Sequence, residues 1–162
     1  MSRVLGSELP PDLLARLSGA DLESVASKVI QIFTVDASGW PHPALLSYFE
    51  VVATNATHIR LAAYAKSTTS GNLRRAGKLT LLVIDERMAY SVKAHAVGIV
   101  RTLQSTDWNA AFDCRIEQVL ADEVNEEYEP GAYVASGVTY FNQRRTEELE
   151  RARLLLAELT AL

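Results

Sequence analysis

THIRLAAYAKSTTSGNLRRAGKLTLLVI, from Thr57 to Ile84, reads as strand, polar turn, short helix and strand, and the rest of the chain is arranged around it. Ile59, Leu61 and Ala63 share one face of an extended segment, with Arg60, Ala62 and Tyr64 on the other. Lys66 introduces a run of small hydroxyl side chains, Ser67, Thr68, Thr69 and Ser70. Asn72-Leu73-Arg74-Arg75 follows with two cations. Gly77 ends the turn before Leu79 to Ile84 resume as a buried strand. A helix that opens on hydroxyl groups and free backbone N–H groups beside a lysine offers a place for an anion, typically a phosphate. The same residues also read as a plain connecting helix capped by Ser67, with its cations facing water. Both readings stay open on this stretch alone.

The 162 residues are enough to bury one core, and no linker or repeat divides them, so a single domain 1–162 is expected. Its parts are a barrel over about 29–141, N-terminal helices at 8–27 and a C-terminal helix at 143–161. Apolar residues make up 48% and charged residues 22%, which marks a globular chain rather than a disordered one. The net charge of −4, without a basic stripe, argues against nucleic acid as a partner. One cysteine, Cys114, excludes an internal disulfide and a cysteine metal cluster. His42, His58 and His95 have no second ligand at i+3 or i+4, so no metal site is expected. No stretch approaches the roughly 20 apolar residues of a membrane span, and the N-terminus lacks the apolar core of a secretory signal. These features predict a soluble, cytoplasmic protein with no membrane partner.

Ser7 to Leu17 predicts a first helix that opens on Pro10-Pro11, and Asp21 caps a second. Val29 to Val35 is a strand, Asp36 to Gly39 a turn, and Pro43 to Thr54 the returning strand of a hairpin. His42, between Pro41 and Pro43, is read into a rigid turn. Asp85-Glu86-Arg87 turns the chain into a long extended segment, Ala89 to Leu103. Phe112, Ile116 and Val119/Leu120 recur at helical spacing, so a helix capped by Thr106 or Asp107 is expected there, with Cys114 as a buried thiol on it. An acidic loop, Asp122 to Glu129, leads to a last strand, Val134 to Phe141. Thr146 to Leu162 closes the chain as an amphipathic helix. About six strands at hairpin spacing, with helices gathered at the chain ends, predict a mainly β, antiparallel barrel with flanking helices. No nucleophile elbow, Walker-type loop or Gly-rich dinucleotide fingerprint is present, and no catalytic residue is assigned.

The order Ile32-Phe33-Thr34-Val35, Gly39-Trp40-Pro41-His42-Pro43-Ala44, Leu61 to Tyr64, Ser67-(x)4-Asn72-Leu73-Arg74-Arg75 and Lys78 to Val83 resembles the pyridoxamine 5′-phosphate oxidase-like superfamily. The resemblance runs from about Val29 to Val100. It implies a six-stranded antiparallel split β-barrel of Greek-key type that binds FMN at the two-fold interface of a homodimer. By that resemblance Pro43, Ala44, Leu45 and Leu46 line the isoalloxazine ring. Ala62, Ala63 and Tyr64 pass along the flavin or its ribityl chain, and Lys66, Ser67, Thr68, Thr69 and Asn72 hold the 5′-phosphate. The chain departs from the oxidase itself: Thr68-Thr69 stand where the oxidase has Arg-Lys, and Ala89 where it has a flavin-facing glutamine. The oxidase's C-terminal substrate-binding arginine/histidine segment is also missing. The resemblance therefore implies an FMN-dependent oxidoreductase of unassigned small-molecule substrate. The alternative is a non-catalytic split barrel that binds a deazaflavin or haem.

Overall fold

Apolar side chains alternate inward along Lys28–Val35, where Ile30, Ile32 and Thr34 are buried while Gln31 and Phe33 stay partly exposed. That strand begins the barrel. The computed structural model describes the backbone of residues 1–162 and every side chain except those of Ile99, Val100 and Arg101. In chain order the elements are β1 (Ser2–Gly6), α1 (Pro11–Arg16), α2 (Leu22–Val25), β2 (Lys28–Val35) and β3 (Pro41–Ser47). A single 3₁₀ turn, Tyr48–Glu50, leads to β4 (Val51–Asn55) and β5 (His58–Tyr64). Then come α3 (Thr68–Ala76), β6 (Lys78–Asp85), β7 (Met88–Thr102), β8 (Asn109–Asp122), β9 (Val138–Thr139) and α4 (Arg145–Ala161).

The strands form one sheet in the order β3-β2-β6-β7-β8-β5-β4, with β1 added on β8 and β9 on β2. Every pairing is antiparallel. The two strands that end this path, β3 and β4, are consecutive in sequence and joined by one turn. The sheet therefore curls until its edges approach each other, without hydrogen bonds closing them. This is a mainly β split barrel with flanking helices, as expected. Ile30, Ile32, Val51, Ile59, Leu61, Leu81, Val92 and Phe112 fill its interior, and Leu13, Leu155 and Leu159 bring α1 and α4 onto the same core.

Several local expectations are corrected. The segment read as a helix around Phe112 is β8, with Phe112, Cys114 and Ile116 inward and Arg115 and Glu117 outward. Across from it Lys93 pairs with Gln118 and Ala94 with Ile116, so Glu117 is the extra residue of a β-bulge. The bulge resets the inward parity to Val119, and 112, 116, 119 then imitate a helical spacing. Cys114 is fully buried all the same. The expected strand Pro43 to Thr54 is broken by the turn at Tyr48–Glu50, and His42 lies within β3 opposite Thr34 rather than in a turn. Only Val138–Thr139 of the expected last strand pairs, and Ser2–Gly6 forms a strand that sequence reading left out. The first helix is also shorter than expected, Pro11–Arg16.

Candidate functional site

α3 starts where its sequence says it should. Ser67 is the N-cap in extended conformation, and its Oγ accepts a hydrogen bond from the Ser70 N–H at 3.1 Å. The Ser70 hydroxyl donates to the Tyr64 carbonyl at 2.8 Å, which pins the helix to the end of β5. Gly77 stops the helix with φ of +67°, and a Cβ there would stand 2.9 Å from the His95 ring. The cap occupies the Ser70 N–H, so the N–H groups of Thr68 and Thr69 remain the unpaired donors of the first turn. Lys66 and Thr68 are exposed beside them.

The other polar residues of this stretch serve the fold. Asn72 is buried and donates its amide to the Thr34 hydroxyl at 3.0 Å. Arg74 donates to the Ala65 carbonyl at 2.8 Å and lies over the Phe112 ring, and Arg75 donates to the Val35 carbonyl. Thr69 is buried. An anion at this helix end would therefore meet Lys66, the Thr68 hydroxyl and two backbone N–H groups, with Ser67 already committed as the cap.

β3 is an edge strand, and Pro41, Pro43 and Leu45 point outward from it while Leu46 points in. Trp40, at the hairpin tip, is 71% exposed, Leu45 53% and Tyr64 64%. Ala62 and Ala63 are buried along β5. Of the residues expected at a cofactor, Pro43, Leu45, Tyr64, Lys66 and Thr68 present surface, whereas Leu46, Ala62, Ala63, Thr69 and Asn72 support them from inside. Ala44 is half-buried.

Leu45 and Tyr64 also line a cavity of about 400 Å³ between the barrel and α4. Its other walls include Phe49, Glu50, Thr106, Trp108, Asn109 and Arg145. Glu50 closes a capping box by accepting the Ser47 N–H at 2.7 Å. Burial pushes its carboxyl up to about 7, against the lowering effects of that N–H and of the Arg145 charge, with Glu148 adding to the rise. Arg145 pairs with Glu148 at 3.0 Å and stacks over Phe49 and Tyr140. Sequence reading missed Glu50, Thr106, Asn109 and Arg145, because nothing local links residues up to 95 positions apart.

α4 is fixed across this cavity at its far end. The Glu158 carboxylate accepts the Gln104 and Ser105 N–H groups at 2.7 and 2.9 Å and the Ser105 hydroxyl at 2.6 Å. Arg60 donates to the Leu159 and Thr160 carbonyls at 2.9 and 3.1 Å, and so covers open acceptors at the helix C-terminus. Cys114 is no nucleophile here: burial, helped by Asp113, pushes its thiol up to about 12. Among the described residues no three His, Cys, Asp or Glu side chains could hold a metal, and no helix is long and apolar enough to cross a membrane.

No family model matches the chain. It is 29% identical over 147 residues to the uncharacterized protein YclD of Bacillus subtilis, which covers 91% of this chain and 92% of that protein. Among solved structures, a candidate pyridoxamine 5′-phosphate oxidase from Lactobacillus delbrueckii superposes with a TM-score of 0.58 at 18% identity, over 74% of this chain and 98% of its own. An FMN-binding protein from Syntrophomonas wolfei gives 0.53 at 15%, over 70% and 88%. An F420 reductase gives 0.50 at 13%, over 60% and 94%. The chain has the split-barrel fold of the pyridoxamine 5′-phosphate oxidase-like and FMN-binding proteins. At these identities the likeness is one of fold.

Proposed function

We propose that this protein binds FMN as a homodimer and acts as a flavin-dependent oxidoreductase. The observation that carries the reading is the open first turn of α3. Its two unpaired N–H groups and Lys66 lie directly after Tyr64, whose exposed ring lines a cavity together with Leu45 of β3. A phosphate suits that helix end, because N–H groups and the helix dipole favour an anion even on a chain of net charge −4. Lys66, Thr68 and the Thr68 and Thr69 N–H groups would hold the phosphate, and Pro43 to Leu45 would flank the ring. The bound flavin supplies hydride or electron-pair transfer, and the chain's own groups position it. Exposed Trp40, Pro41, Pro43 and Leu45 on an uncovered edge suit a second subunit.

The test is a titration of the purified protein with FMN, followed by visible absorbance and thermal stability. Saturable binding with a raised melting temperature is expected, since a ligand specific to the native state stabilises it. Lys66→Ala is expected to weaken binding by about tenfold, the scale of one charge-assisted hydrogen bond. Unchanged affinity would remove the phosphate role. The F420 reductase fold likeness supports a second reading, a deazaflavin in the same place. Preferential retention of a deazaflavin over FMN would decide for it, and a haem absorbance band would decide against both.

A further inference from the structure

Five buried side-chain polar atoms have no hydrogen-bond partner among the described residues, and three of them belong to residues lining the one cavity under α4: Thr106 Oγ1, Asn109 Oδ1 and Arg145 Nε. Native proteins rarely leave such atoms unpaired, because each costs roughly 1–3 kcal/mol when stripped of water. Thr106 is 3% exposed and Asn109 2%, so bulk water does not reach them freely. Three unmet groups gathered at one place mark a site that something else completes.

We infer that this cavity takes a small, uncharged, planar ring bearing a carbonyl next to an N–H or O–H donor, seated beside the cofactor proposed above. The polar groups set the pattern. Arg145 Nε needs an acceptor, Asn109 Oδ1 needs a donor, and the Thr106 hydroxyl meets either. A carboxamide or its vinylogous equivalent supplies both from adjacent atoms. The walls set the shape: Phe49, Trp108 and Tyr140 are flat, and about 400 Å³ admits one or two rings. The charges set the ionisation state. Two arginines and two glutamates share the wall, Arg145 paired with Glu148 at 3.0 Å, Arg151 over the Trp108 ring and Glu50 beside them, so their formal charges cancel and the lining has no net charge that calls for an ionic ligand. Leu45 and Tyr64 are shared with the cofactor reading, which places the ring next to the flavin; this part of the inference rests on that reading.

The experiment uses benzamide as probe, with benzoate and cyclohexanecarboxamide as charged and non-planar controls. Binding is read by calorimetry on the cofactor-free protein and again with FMN present. Saturable benzamide binding, at least tenfold weaker for both controls, is expected. Thr106→Val and Asn109→Leu remove the unmet atoms, so each is expected to weaken benzamide at least tenfold while the melting temperature holds or rises. A merely structural role predicts the opposite, a fall in melting temperature. Absence of saturable binding, or equal affinity in the wild type and both variants, would overturn the inference. Competition between FMN and benzamide would also overturn it, by assigning the cavity to the cofactor's own ring. Benzamide binding without FMN binding would support the ligand class and overturn only the cofactor reading.

Discussion

Asn72 of α3 gives its side-chain amide to the hydroxyl of Thr34 on β2, at 3.0 Å and out of contact with water. This bond locks the helix that carries the candidate phosphate end onto the strand next to the β3 edge. Asn72→Ala would leave the Thr34 hydroxyl buried and unpaired, at a cost of about 1–3 kcal/mol. Thermal or urea unfolding should show that loss, and Thr34→Val added to Asn72→Ala should restore much of it, because removing both partners removes the desolvation penalty.

Asp85, at the end of β6, is 1% exposed and receives Lys28 Nζ at 2.6 Å and Arg16 at 3.1 Å. Burial alone would push its carboxyl up. The hydrogen bonds from Lys28 and the Glu86 N–H, with the charges of Arg16 and Lys28, outweigh burial and hold it below the usual carboxylate range. A depressed folded value means that the stability it contributes is present above the unfolded value of about 4 and is lost as pH falls through the folded one. Asp85→Asn should therefore lower stability near neutral pH by about 3 kcal/mol, since it strands two cations from α1 and β2. The difference from wild type should shrink in acid unfolding curves below about pH 4.

Glu50 works in the reverse direction. Burial first, and Glu148 second, raise its carboxyl to about 7, against the Ser47 N–H and Arg145. The folded state then binds more protons than the unfolded chain between the ordinary glutamate value and about 7. Stability from this group is complete below the ordinary value and declines as pH rises toward 7, with a slope of at most about 1.4 kcal/mol per pH unit. Glu50→Gln should flatten that slope in denaturant midpoints measured from pH 4.5 to 7.5. An unchanged slope would show that the carboxyl is solvated.

Leu45, 53% exposed on the edge strand, is the most direct probe of the proposed homodimer. Leu45→Glu places a charge where apolar surface would be covered and should shift light scattering from dimer to monomer at micromolar concentration. If wild type itself scatters as a monomer there, the interfacial flavin site falls with the dimer.

What the chain encodes locally was legible. The Ser67 cap, the Gly77 stop and the turn at Asp36–Gly39 each depend on residues within a few positions, and the structure has all of them. The mainly β architecture with flanking helices follows from the same short-range spacing. β8 was misread because a bulge at Glu117 makes a strand look helical, and only its partners β7, β5 and β1 settle its conformation. The candidate site divides the same way. Lys66, Ser67 and Thr68 are visible as a helix start, a local feature of one segment. Whether Asn72 faces a ligand or Thr34 depends on a strand 38 residues away. The meeting of Glu50, Thr106, Asn109 and Arg145 under α4 depends on how four distant segments pack, since buried polar groups acquire meaning only from neighbours that no local pattern records.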